Sequence, residues 1–114
     1  MTILVCGGRD YNDAETFRAF MDAILDSYGP FEKLIHGGQD GADALAEAWA
    51  SEHGIPTQPF PADWQQFGKS AGPRRNAEML KLGQPDLVVA FPGNRGTEDM
   101  VAKATRAGVR VVRV

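Results

Sequence analysis

The chain has 114 residues, 43% of them hydrophobic and 24% charged, the composition expected of one soluble globular domain spanning residues 1–114. No apolar run approaches the roughly 20 residues that a membrane-spanning helix needs, so no membrane partner is expected. A net charge of −3 speaks against a nucleic-acid platform, and a single cysteine, Cys6, excludes an internal disulfide and fits a reducing cytoplasm.

Thr2 to Cys6 reads as a first strand, entered without a signal-peptide pattern. Gly7-Gly8-Arg9-Asp10-Tyr11 is the turn after it. Asn12 is the expected helix cap, with Glu15 as its capping-box partner. Phe17, Phe20, Met21, Ile24, Leu25 and Tyr28 follow at helical spacing, and Gly29-Pro30 ends that helix. Lys33 to Ile35 is a second strand, followed by the glycine-rich turn His36-Gly37-Gly38-Gln39-Asp40-Gly41. A helix from about Ala42 to His53 turns Leu45, Ala48 and Trp49 inward and stops at Gly54. Thr57 to Phe60 is an edge strand, because Pro56, Pro59 and Pro61 flank or interrupt it. Pro61 to Gly72 is irregular. Pro73 opens a helix running from Arg74 to Leu82, with Ala77, Met79, Leu80 and Leu82 as its apolar positions and Gly83 as its end. Leu87 to Phe91 is a strand buried on both faces. Pro92, Gly93 and Gly96 break it, and Thr97 caps a last helix through Met100, Val101 and Ala104 to Gly108. Val109 to Val114 is the final strand.

Strands and helices alternate at the spacing of an α/β fold with a parallel sheet. Right-handed crossovers then place every strand's C-terminal end on one edge. Four loops meet there: Gly7 to Asp10, His36 to Gly41, Pro61 to Trp64 and Pro92 to Thr97. Arg9, Lys69, Arg74, Arg75 and Arg95 lie in or beside those loops, so an acidic chain carries one basic pocket suited to a small anion. The stretch from Gly93 to Thr97 is read as a phosphate cradle. The free N–H groups of a first helical turn face the anion, and the glycines admit it closely. The alternative is an ordinary turn whose glycines serve geometry only. The pattern is not the dinucleotide fingerprint, since Gly7-Gly8 lacks a third glycine at the required spacing and no acidic residue ends the second strand.

Gly-Gly-Arg-Asp-Tyr (7–11), His-Gly-Gly-Gln-Asp-Gly-Ala-Asp (36–43), Pro-Ala-Asp-Trp (61–64), Gly-Lys-Ser-Ala-Gly-Pro-Arg-Arg-Asn-Ala-Glu-Met-Leu (68–80) and Phe-Pro-Gly-Asn-Arg-Gly-Thr (91–97) resemble, in order, the YspA-like group of the SLOG superfamily. The resemblance implies a Rossmann-like, doubly wound, mainly parallel sheet of about five strands with helices on both faces. It also implies a nucleotide or nucleotide-derived ligand, and a homodimer, since SLOG proteins often pair. The superfamily includes the DprA nucleic-acid-binding proteins and the LOG phosphoribohydrolases, which release a free base from nucleoside 5′-monophosphates. The LOG pattern Pro-Gly-Gly-x-Gly-Thr-x-x-Glu is similar to Pro92–Thr97, with Asn94 in place of the second glycine and Met100 in place of the glutamate. Arg75 stands where the LOG arginine falls. A carboxylate stabilises the positive charge that develops as the base departs, and a methionine cannot, so phosphate binding carries over and the hydrolytic mechanism does not carry over intact.

Arg74 and Arg75 sit in a first helical turn, where cations oppose the dipole unless an anion joins them. Glu98 and Asp99 suit the dipole of their own helix, and either could replace the missing glutamate. Glu78 is one turn beyond both arginines and is expected to pair with one of them. Asp43 complements its helix dipole or accepts from ribose hydroxyls. Trp64 stacks on a base or covers the core edge. His36 is read as a hydrogen-bonded packing residue, His53 as a dipole partner and Cys6 as an inert thiol. No spacing suggests a metal site, and no cofactor is expected. The expected ligand contacts are therefore Gly7, Gly8, Arg9, Asp10, Gly37, Gly38, Asp43, Trp64, Lys69, Arg74 and Gly93 to Thr97, with Arg75 and Arg9 as charge partners of the phosphate. Arg75, Glu78, Glu98 and Asp99 are the candidates for catalysis.

Overall fold

The computed structural model describes residues Met1–Val114. Five strands, β1 (Thr2–Cys6), β2 (Lys33–His36), β3 (Thr57–Pro59), β4 (Leu87–Ala90) and β5 (Arg110–Arg113), form one sheet in the order β3-β2-β1-β4-β5. Every neighbouring pair is parallel. The helices are α1 (Ala14–Tyr28), α2 (Ala42–Glu52), the short α3 (Trp64–Phe67), α4 (Ala71–Gly83) and α5 (Arg95–Arg106). This is the Rossmann-like arrangement. No helix is long and apolar enough to cross a membrane.

Alternation along the central strands divides the core in two. Ile3 and Val5 of β1 and Leu87 and Val89 of β4 face a cluster with Phe17, Met21 and Ile24 of α1 and Ala46, Trp49 and Ala50 of α2. Leu4, Cys6, Val88 and Ala90 face the opposite cluster, with Met79 of α4 and Met100 and Ala104 of α5. Strands β1 and β4 are neighbours whose following helices cover opposite faces. The loops after them therefore diverge and open a crevice at the C-terminal edge of the sheet.

Several local expectations are corrected. Asp13, not Asn12, caps α1, its carboxylate accepting the Thr16 N–H at 3.1 Å, where a full charge also suits the dipole. The irregular 61–72 segment contains α3 and a 3₁₀ turn over Gly68–Ser70, which runs directly into α4 at Ala71. Pro73 is thus the third helical residue, still among the positions that owe no intrahelical hydrogen bond. In α2, Ala48 is exposed and Ala46 and Ala50 face inward. In α4, Ala77 and Leu82 are exposed, and the inward stripe is Gly72, Arg75, Asn76, Met79 and Gly83. Those positions have helical spacing, but the residues are small or polar. Gly83 ends the helix as expected. It lets α4 approach the sheet where a Cβ would collide with Ile35, and Gln84, left-handed at φ 47°, makes the cap. Thr97 does not cap α5. It is the third residue of that helix and is buried, with Asn94 at the cap position.

Candidate functional site

A cavity of about 540 Å³ opens at the crevice between the β1 and β4 loops. Glycines make its walls meet. A Cβ on Gly7 would stand 2.6 Å from the Ala42 Cβ, so only glycine lets the turn after β1 pass this close to the start of α2. The Gly8 N–H donates to the Pro92 carbonyl at 2.9 Å, and the Gly8 carbonyl accepts from Ala42 at 3.2 Å. These bonds tie the three loops that surround the cavity.

The start of α5 forms one wall. Its first intrahelical bond at the cap runs from the Glu98 N–H to the Asn94 carbonyl at 3.0 Å, and no side chain caps the turn. The N–H groups of Arg95, Gly96 and Thr97 are therefore unpaired, and all three residues line the cavity. Thr97 is 3% exposed and its hydroxyl has no protein partner. No buried side-chain oxygen or nitrogen is left unsatisfied in the protein, so that hydroxyl is not sealed from solvent.

Arg75 reaches the same space from α4. It is 8% exposed, with Nη1 donating to the Gly37 carbonyl at 2.8 Å and Nε to Asn76 Oδ1 at 3.0 Å. Nη2 makes no hydrogen bond within the protein and by the same reasoning is not sealed from solvent, in a residue that lines the cavity. Burial pulls the Arg75 pKa down, and Asp43 opposite draws it part of the way back. Asn76 locks this arrangement. Its Nδ2 donates to the Gly96 carbonyl at 3.1 Å and to Asp99 at 3.0 Å, so the arginine and the first turn of α5 share one fixed frame.

Asp43 is buried in the cavity wall and accepts the Gln39 N–H at 3.3 Å. Desolvation pushes its pKa up, opposed by the Gln39 and Gly37 N–H groups, His36 and Arg75. Gly37 must be glycine here, because a Cβ would collide with Arg75 Nη1 and stand 2.9 Å from the Asp43 carboxylate. Arg9, Lys69, Arg75 and Arg95 set four cations around the cavity against the carboxylates of Asp43 and Asp99. Within a protein of net charge −3, this one concavity favours an anion.

The cavity thus brings together Gly7, Arg9, Gly37, Asp43, Trp64, Lys69, Arg75, Asn94, Arg95, Gly96, Thr97 and Asp99. It leaves out other sequence candidates. Gly8, Asp10, Gly38 and Gly93 do not line it; Gly93 matters because a Cβ there would collide with the Thr97 hydroxyl. Arg74 lies over the Phe67 ring at 4.4 Å and bonds Ser70, outside the cavity. Glu78 is exposed and pairs with neither arginine. Glu98 is ion-paired with Arg113 on the surface, which holds its carboxyl below the usual range. Asp99 lines the cavity but is paired with Lys103 at 2.6 Å. Met100 is fully buried in the core and offers nothing to a ligand.

His36 behaves as expected. Its Nδ1 accepts the Gly38 N–H at 3.0 Å, so the proton on Nε2 goes to Glu47 at 2.9 Å. Burial, with Asp43 adding, pushes the Cys6 thiol up to about 12, which makes it inert. No cluster of His, Cys, Asp and Glu has the geometry to hold a metal ion. Asn76 and Gln39 line the cavity and had not been singled out from the sequence. The signal for Asn76 was its spacing of three before Met79 on the inward stripe of α4.

Sheet order and site together define a Rossmann-like protein with a cationic crevice at its switch point. A model of the YspA, cpYpsA-related SLOG family matches residues 1–67. The Gene 61 protein of Mycobacterium phage D29 is 36% identical over 120 residues, covering 96% of this chain and 93% of that protein. The chain belongs to the YspA, cpYpsA-related SLOG family. At the coarse level, membership associates it with nucleotide-related ligands.

Proposed function

We propose that residues 1–114 form one ligand-binding domain that holds a nucleotide or nucleotide-derived molecule, with its phosphate on the first turn of α5. The observation that carries this reading is the convergence of the unpaired N–H groups of Arg95, Gly96 and Thr97 with the Arg75 guanidinium, fixed to one another through Asn76. A phosphate oxygen there receives backbone donors at the positive end of the dipole and a charge-assisted bond from Arg75. The cluster needs no reorganisation to receive it, because its hydrogen bonds are already made. Lys69, Arg95 and Arg9 add attraction at the rim.

Hydrolysis of an N-glycosidic bond is the second reading, favoured by one feature. Asp43 is a buried carboxylate in the same cavity as Arg75, where a developing positive charge on a ribose ring could be stabilised. Asp99 is the other carboxylate in the cavity, already neutralised by Lys103.

Incubation with a panel of nucleoside monophosphates and ADP-ribose-type nucleotides, followed by calorimetry and chromatography, separates the two. Binding without free base, weakened roughly 10- to 100-fold by Arg75→Ala, supports a binding domain. Base released by the wild type and not by Asp43→Asn establishes the enzyme. No binding by any phosphorylated member defeats the phosphate reading.

A further inference from the structure

Trp64 is 47% exposed at the cavity mouth, where a large aromatic face is usually a contact surface. Its placement is built. Asp63 caps α3 by accepting the Gln66 N–H at 3.0 Å. The indole edge rests on Gly72, where an added Cβ would stand 3.2 Å away.

Across the indole face lies Arg9, its Cζ 6.0 Å from the ring centroid. That is the outer limit of a direct cation–π contact. It is also within about 1 Å of the roughly 7 Å that two stacked layers need, each at about 3.5 Å. The two sides of this gap differ in freedom. The Arg9 backbone is held, because Gly41 packs on it and the Gly8 bonds to Pro92 and Ala42 fix the turn. The Arg9 side chain is exposed and enters no ion pair, so a small rotation opens the gap.

We propose that the Arg9 guanidinium and the Trp64 indole clamp a planar aromatic ring between them, the base of the bound nucleotide. This rests on the nucleotide reading above and moves Arg9 from the phosphate to the base. Recognition then comes from two flat faces, so purines, with the larger ring, bind more tightly than pyrimidines.

Two probes separate the clamp from the phosphate cradle. Adenosine carries the ring without a phosphate, and ribose 5-phosphate carries the phosphate without a ring. Adenosine at millimolar concentration quenches tryptophan emission of the full chain. The quench is lost in Trp64→Phe, because the remaining Trp49 is buried with its indole N–H on Asp22 at 2.9 Å. Trp64→Ala raises the Kd for adenosine 5′-monophosphate about tenfold more than that for ribose 5-phosphate. Arg9→Ala does so in the same direction by a smaller factor. Both side chains are exposed, and circular dichroism checks that the variants fold. The clamp is overturned if adenosine leaves the emission unchanged, or if both variants weaken the two phosphate ligands equally. Quenching by adenosine without any binding of ribose 5-phosphate keeps the clamp and overturns the phosphate cradle.

Discussion

The two faces of the sheet are built from different materials. The face under α1 and α2 is aromatic: Phe17 and Phe91 stack at 4.4 Å, Phe20 and Tyr11 pack on Phe91, and Trp49 closes the far side. The face under α4 and α5 has a smaller apolar cluster, with buried Arg75, Asn76 and Thr97 at its upper end. Large rings bury more area, so the first face is suited to holding the fold together. On the second face a hydrogen-bonded polar group takes the place of apolar filling, and the cavity opens above it. On the proposed reading, the contrast divides stability and binding between faces, and the cost of burying polar groups falls where a ligand can return some of it.

The largest effect expected from this division is on the aromatic face. Phe17→Ala should cost about 3–5 kcal/mol of stability in urea denaturation, through lost burial and a cavity beside Phe91. Ligand affinity of the fraction that remains folded should change little. Equal losses in stability and affinity would break the comparison.

Arg75→Ala is the counterpart. It strips the donors from the Gly37 carbonyl and Asn76 Oδ1, at about 1–3 kcal/mol of stability, and it removes the anion's charge partner. Its signature is a loss of phosphate affinity larger than Phe17→Ala produces. Arg75→Lys should recover little of that loss, since one ammonium cannot reproduce the fork.

Asp43 sharpens the comparison through pH. Its pKa is raised in the folded protein, chiefly by desolvation, so the folded state holds a proton that the unfolded chain has released. This group's contribution to stability therefore falls as pH rises from the ordinary aspartate value through the raised one. Asp43→Asn should remove that downward slope, so that the variant gains stability relative to the wild type as pH rises. Denaturation midpoints of the two proteins between about pH 4 and pH 7 test it. A constant difference across that range would show that the folded protein does not hold the extra proton.

The smallest effect belongs to Leu82, apolar yet 66% exposed on α4. Leu82→Lys should change stability by less than about 0.5 kcal/mol. A larger loss, read by the same denaturation, would place Leu82 in an interface and support the expected homodimer.

Leu82 also shows where reading the sequence stopped short. Hydrophobicity picked Ala77 and Leu82 among the apolar candidates of α4, whereas the helix turns Gly72, Arg75, Asn76 and Gly83 to the sheet. A periodicity of apolar residues cannot detect a stripe whose members are small because the sheet is close, or polar because they serve a cavity. The same reading found α1 readily, because its inward residues are large and apolar.

The sequence by itself determined the alternation of strand and helix, the edge position of β3 and the gathering of glycine-rich loops on one edge. Each follows from local physics: the period of burial, the missing N–H of proline, and the handedness of the crossover. The cavity's charge was legible for a related reason, since Arg9, Lys69, Arg75 and Arg95 all flank those loops. Only the tertiary structure decided which of the nominated groups meet. Asp99 and Glu98 are adjacent in the chain, yet one lines the cavity and the other is tied to Arg113 on the surface. Successive residues of a helix point about a hundred degrees apart, and the rotation of α5 is fixed by Met100 and Ala104 against the sheet, not by either carboxylate. Arg75 and Arg74 divide in the same way, with Met79 and Gly83 setting the rotation of α4 and sending only Arg75 inward.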